Sequence, residues 1–454
     1  MASARASWSS RFGFLMSCIG SSVGLGNFWR FPYLAGENGG GAWVLVYLFT
    51  CFVLILPLLV AEIVIGRRGG LSAIGSTVKV ARDHGASAAW GIIGVMGVVA
   101  AFLILSFYSV IGGWVIDYVV ESAGGAFLGA TKESVGAQFG GLVSDPIKMT
   151  VFHAAFMAIT VWIVAAGVKG GLETFNSIVM PILFAMLIAM VIYAAIEGDW
   201  ARGMAFLFEP RFDKLTWNGV LAAVGQGFFS IGVGIGVFIT FGSYLKGDGN
   251  IVPNAAIIAT SDTLVAILAG CVIFPIVFAQ GLEPGAGPGL MFQTLPLAFA
   301  GLPGTQYVST FFFILIFFAA ITSSISLLEI VVARAEDTGG QNRVTLAVAV
   351  GLASWVLGLG TVLSFNHWEK FYPLDFGPFA GKSLFDALDT LTNNYMLPIG
   401  GILIGLFTGW VIPRDTFKAE LGVSEGLATV LWALIAIVSP AAITVMFLFN
   451  AGIL

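Results

Sequence analysis

Residues 18–41 read CIGSSVGLGNFWRFPYLAGENGGG. The stretch begins in an apolar run of membrane-helix character, yet it carries Gly20, Gly24 and Gly26, then Asn27, Arg30 and Pro32. Glycine weakens a helix, proline deletes one of its hydrogen bonds, and a charge at that depth in lipid is costly. Irregular backbone of this kind is tolerated in a membrane only where it lines a cavity or is buried in protein.

The rest of the chain is equally apolar. Of its 454 residues 58% are hydrophobic and 10% charged, against about a quarter charged in a soluble domain. Runs long enough to cross a bilayer recur near 12–36, 42–66, 90–120, 150–168, 175–196, 218–245, 254–280, 307–334, 344–364, 384–411 and 427–450. They predict an all-α polytopic membrane protein with about 11 transmembrane helices. A cytoplasmic N-terminus puts Arg5, Arg11, Arg67, Arg68, Lys79 and Arg82 inside, the side on which short loops concentrate positive charge. Cys18, Cys51 and Cys271 fall within spans, so no disulfide framework is implied. The polar start MASARASWSSR leads straight into the first span, so no cleavable leader is expected, and a bacterial inner membrane is the expected location. His84, His153 and His367 are scattered, with no metal motif and no Ser–Lys or paired-Asp site. That argues against an intramembrane enzyme, and nothing suggests a nucleic-acid partner.

A second glycine-interrupted span, GQGFFSIGVGIGVFITFGSY at 225–244, holds Gly225, Gly227, Gly232, Gly234 and Gly236. A lone pair of spaced glycines often means close helix packing. Two interrupted spans five helices apart instead point to an inverted repeat with a binding site near the midplane. The repeats would be 12–196 and 218–411, with 427–450 as an extra helix and 1–11 as a cytoplasmic N-terminal latch. A broken helix frees carbonyls, which are hard ligands for a cation, and N–H groups, which attract an anion. Sodium beside an amino acid fits that pairing. Asp262 lies in the otherwise apolar AIIATSDTLVAILAGCVIF, where an unpaired Asp costs roughly 2.5–3.5 kcal/mol. It is therefore either protonated or met by a cation. Thr322, Ser323 and Ser324 in FFAAITSSISLLEIV offer hydroxyls, which in membrane helices also bond back to their own backbone.

These segments, with SWSSRFGF near the start and SLFDALDTLTNNYMLP at 383–398, resemble the neurotransmitter:sodium symporters, and most closely their bacterial amino-acid branch. The resemblance implies the leucine-transporter-type (LeuT-type) fold, a 5+5 inverted repeat with helices 1 and 6 broken. It also implies sodium-coupled import of an amino acid with a hydrophobic side chain by alternating access. A transporter of another small carboxylate-bearing solute, or a receptor or channel of the same fold, are the alternatives.

Carried over residue by residue, the resemblance implies one sodium site at the Ser22 carbonyl, Asn27, Ser230 and Asp262. A second would use the carbonyls of Gly20, Val23 and Ala319 and the hydroxyls of Thr322 and Ser323. The substrate carboxylate would meet the N–H groups of Leu25 and Gly26 and the Tyr108 hydroxyl, with Gly24 leaving it room. Its side chain would lie among Ile104, Phe229, Gly232, Ile235, Ser323 and Leu327. Asp262, with Ala266 one turn later, stands where chloride-dependent relatives have asparagine and serine, so no chloride requirement is expected. Tyr47, Gln226 and Ser230 resemble the remainder of that chloride shell. Protonation of Asp262 on the return step would give proton antiport.

Arg30 would pair with Asp389, rather than Asp386, as an outer gate. Arg5 and Trp8 resemble an inner latch, with Asp337 as ionic partner and Tyr244 in support, though Arg5–Asp337 also reads as a weak surface pair. In GGLETFNSIVMP, Gly171 and Pro181 resemble a motif that lets the helix end unwind toward the second sodium; a plain kink is the alternative. Glu62 and Glu329 have no role legible in the sequence.

Overall fold

A computed structural model describes residues 6–245, 250–284, 289–339 and 341–451. Among these, nine helices are long and apolar enough to span a membrane, from Gly41–Gly69 to Glu425–Phe449. The first and sixth expected spans are missing from that set because both are interrupted. The chain breaks where the glycines are.

The first span runs as a helix over Arg11–Ser22, started by Ser10, whose hydroxyl accepts from the Gly13 N–H. At Val23 the backbone turns extended (φ −70°, ψ 111°). It resumes as a π-turn over Gly26–Arg30 that passes into a helix over Phe31–Glu37. Pro32 sits in the first turn of that last helix, directly after the π-turn, so it removes one main-chain donor from a continuous helical stretch. The sixth span is helical over Trp217–Ile231 and again over Val237–Gly242.

The two breaks use glycine differently. In the sixth span Gly232, Gly234 and Gly236 have φ of 78°, 93° and 78°, a region that costs any other residue strain. In the first span no glycine has positive φ; the missing side chains make space instead. A β-carbon on Gly24 would lie 2.6 Å from Ser323 Oγ, and one on Gly26 would lie 2.7 Å from the Phe229 ring.

The unwound sixth-span backbone is held by a carboxylate. Glu62, fully buried in the second span, accepts from the N–H groups of Gly234 (2.6 Å) and Phe238 (3.2 Å). A buried acid opposite freed backbone donors satisfies both parties, which assigns Glu62 the structural role that its sequence context left open.

Candidate functional site

The two breaks face each other across a cavity of about 630 Å³ of unfilled space, its open mouth included. The third span (Ala88–Ala123) and eighth span (Thr305–Asp337) close it. Gly24, Leu25, Gly26, Ile104, Tyr108, Phe229, Gly232, Ile235, Ser323 and Leu327 all line it, so every residue expected around a substrate is brought together. Phe107, Asn393 and Leu397 also line it and were not anticipated. The Leu25 N–H donates to the Tyr108 hydroxyl at 3.4 Å. The wall is mostly apolar but also carries Ser21, Ser22, Ser230, Ser323 and Asn393.

Two oxygen-rich clusters flank the cavity. In one, the Ser230 hydroxyl donates to Asp262 Oδ2 at 2.8 Å, and Asn27 Nδ2 donates to Asp262 Oδ1 at 2.9 Å. Asp262 and Asn27 are fully buried. Asn27 Oδ1 accepts from the Gly24 N–H at 2.9 Å and keeps a second lone pair. The amide turns its donor toward the carboxylate because a buried anion takes every hydrogen bond within reach. Ser22 ties the two breaks through its hydroxyl, 3.4 Å from the Ile231 carbonyl. Around this cluster the Tyr47 hydroxyl lies 3.5 Å from Ser230 Oγ, and Gln226 Nε2 donates to the Gly26 carbonyl at 3.1 Å.

The other cluster centres on the Ser323 hydroxyl. It lies 3.5, 3.1 and 3.3 Å from the carbonyls of Gly20, Val23 and Ala319. The Thr322 hydroxyl, 3.0 Å from the same Ala319 carbonyl, completes the set. All donors are oxygen, the chemistry a hard cation selects.

Each side of the site has its own arrangement. Toward Arg30, a second cavity of about 800 Å³ is lined by Trp29, Arg30, Tyr33, Phe385 and Asp389, and shares Tyr108 and Phe229 with the first. Among the described residues Arg30 and Asp389 make no direct ion pair. The Arg30 guanidinium lies 4.5 Å from the Phe229 ring centroid, and Asp389 accepts from Asn393 Nδ2 at 2.6 Å. Cation–π attraction and an amide donor satisfy the two charges separately, so the expected gate pair faces one cavity without closing it. Asp386 is taken by the Ser383 hydroxyl at 2.7 Å.

At the other end the N-terminal segment is packed shut. Trp8 Nε1 donates to the Phe241 carbonyl at 3.0 Å, and its ring meets Tyr244 edge-on at 5.7 Å. The Tyr244 hydroxyl donates to Glu329 at 2.7 Å, and Glu329 is ion-paired with Arg343. Glu329 thus connects Tyr244 to Arg343, a placement the sequence did not disclose. Asp337 accepts from the Ser72 N–H at 2.6 Å; Arg5 lies outside the described residues.

The fifth span does not show an unwound end. Val168–Glu173 is a π-turn leading into a continuous helix, Thr174–Glu197, with Pro181 inside it. Gly171 is needed for contact, since a β-carbon there would lie 2.0 Å from the Ile163 carbonyl oxygen. Glu173, to which the sequence assigned no role, accepts from the Ser9 N–H at 2.9 Å and ties the N-terminal segment to this helix.

The sequence model of a family described as "Sodium:neurotransmitter symporter family" matches residues 5–128 and 142–453. An "Uncharacterized sodium-dependent transporter" of Bacillus subtilis is 38% identical over 451 residues, 98% of each chain. A "Sodium-dependent nutrient amino acid transporter 1" of Drosophila erecta is 29% identical over 438 residues, covering 80% of this chain and 67% of that one. Among solved structures, MhsT in complex with L-phenylalanine superposes with a TM-score of 0.90 at 39% identity, over 99% of this chain and 100% of that one.

Proposed function

The chain belongs to the sodium:neurotransmitter symporter family, and from that premise we propose that it imports a hydrophobic L-α-amino acid, coupled to two sodium ions, by alternating access. Its family and structural neighbours are transporters, not enzymes, and its fold is LeuT-type. The observation that carries the finer reading is the mostly apolar cavity with an oxygen cluster on either flank, built from two broken helices.

In this reading the substrate carboxylate docks at the Leu25 and Gly26 N–H groups, where the second half of the first span begins and its dipole favours an anion. Tyr108 adds a hydroxyl donor. Gly24 matters through what it lacks: a side chain there would occupy the space between Ser323 and Tyr108. Ile104, Phe229, Ile235 and Leu327 offer the substrate side chain only carbon, and the bare Gly232 widens the pocket. L-phenylalanine in the MhsT site favours a bulky apolar residue.

Asn27, Ser230, Asp262 and the Ser22 carbonyl hold one sodium against the substrate carboxylate. Thr322, Ser323 and the carbonyls of Gly20, Val23 and Ala319 hold the other. Because ion and substrate complete each other's shells, each raises the other's affinity, by typically 1–3 kcal/mol in coupled systems. Asp262 supplies a fixed negative charge, so transport proceeds without chloride; its protonation on the return step exports a proton. Trp8, Tyr244 and the Glu329–Arg343 pair hold the cytoplasmic side shut while Arg30 and Asp389 face the outer vestibule. The N-terminus lies in the cytoplasm and the two repeats, 12–196 and 218–411, move against each other.

Purified protein in liposomes tests this. Radiolabelled L-phenylalanine should accumulate above equilibrium under an inward sodium gradient, equally with gluconate in place of chloride. It should not accumulate with potassium in place of sodium. Equilibration without accumulation would mean a channel or facilitator, and loss of uptake in gluconate would end the chloride-independent reading. A rate insensitive to an imposed proton gradient would end proton antiport.

A further inference from the structure

One polar side chain beside the second cluster is left over. Asn176, in the fifth span, is fully buried, and neither its Oδ1 nor its Nδ2 has a hydrogen-bond partner. A buried, unpaired carboxamide is a standing cost unless something binds it. Its position says what. A β-carbon on Gly20 would lie 2.7 Å from Asn176 Oδ1 and 3.2 Å from Thr322 Cβ. Asn176, Gly20 and Thr322 therefore converge on one point, and Gly20 and Thr322 both contribute to the second oxygen cluster.

The surrounding pattern extends toward the cytoplasm. Gly13, Ser17 and Gly20 share one face of the first helix by their spacing. Gly13 abuts Glu173 and Gly20 abuts Asn176, three residues apart on the fifth span. Ser17, between the two glycines, is fully buried and its hydroxyl is also unpartnered. Beyond it, Glu173 accepts from Ser9. The contact between these helices is lined with oxygen where apolar packing would be the simpler solution.

We infer that Asn176 is a further sodium ligand, whose amide oxygen meets the second ion from the cytoplasmic side. The inference rests on the sodium-coupled reading above. Ser17 and Glu173 continue the oxygen-lined route from that position toward the cytoplasmic end. The site takes a hard cation, because Asn176, Thr322, Ser323 and the carbonyls around them all offer oxygen, and the lack of a carboxylate among these donors favours a monovalent ion.

Sodium alone serves as the probe. The full-length protein in detergent is titrated with sodium chloride, balanced by potassium chloride at constant ionic strength, and the apparent melting temperature is followed as ligand-induced stabilisation. Removing the ligand in Asn176→Leu should raise the sodium midpoint about tenfold, the scale of one hydrogen-bonding partner to a charge. Adding a charge in Asn176→Asp should lower it by about the same factor. Opposite shifts are the signature of a ligand, since a packing role moves both variants the same way. Shifts in the same direction, or both midpoints within about twofold of the wild type, would overturn the inference. Should Asn176→Leu fail to fold in potassium, the direction of the Asn176→Asp shift decides alone. A wild-type protein that sodium stabilises no better than potassium would instead refute the underlying sodium reading.

Discussion

Asp262→Asn raises the sodium midpoint for L-phenylalanine binding by about a hundredfold or more in chloride-free medium, because a fixed charge 4 Å from a cation is worth about 4 kcal/mol at an effective dielectric near 20. Asp262 is fully buried, and the partners the structure gives its side chain are Asn27 and Ser230, both neutral. Asparagine preserves its shape, so the fold survives and the lost charge is what the titration reads. Chloride is not a full substitute in the variant: Tyr47, Gln226 and Ser230 are present, but Ala266 brings no hydroxyl. Equilibrium binding of radiolabelled L-phenylalanine against sodium concentration, in gluconate and in chloride, measures both effects. An unchanged midpoint would remove Asp262 from the ion's surroundings.

Gly234→Ala acts on the scaffold. Gly234 has φ of 93°, and a β-carbon there would stand 2.5 Å from the Leu397 carbonyl oxygen and 3.3 Å from the Gly401 nitrogen. The strain of that backbone costs about 1–3 kcal/mol for a residue other than glycine, and the clash with main chain adds to it because neither atom belongs to a flexible side chain. The Gly234 N–H also donates to Glu62, so any relief of the clash draws it away from the acid that holds the break open. The expected result is a fall in apparent melting temperature together with loss of saturable L-phenylalanine binding. Alanine tolerated at wild-type melting temperature would mean that the sixth-span break is not held in this geometry.

Much of this arrangement was readable from residue order. Glycine clusters located both breaks, and the ten residues expected around a substrate do share one cavity. Glycine alone could not say why it was there, however. At Gly234 the reason is a backbone angle, whereas at Gly24 and Gly26 it is a neighbour's side chain from a distant span. Glu62, Glu173 and Glu329 were opaque for a related reason. Each acquires its function from a partner 172, 164 or 85 residues away, and no local pattern encodes such a pairing. Arg30 shows the limit from the other side. Its charge at that depth was conspicuous, but whether it meets Asp389 or lies on Phe229 depends on side-chain placement that spacing does not determine.

Binding of radioactive sodium to the purified protein, with and without L-phenylalanine, addresses the core of the account: main-chain and side-chain oxygens at two helix breaks hold the ion against the substrate's carboxylate. Saturable binding whose affinity rises when L-phenylalanine is added, and which Asp262→Asn weakens, is the predicted result. Sodium binding that is absent, or that is indifferent to both the amino acid and the substitution, would contradict it.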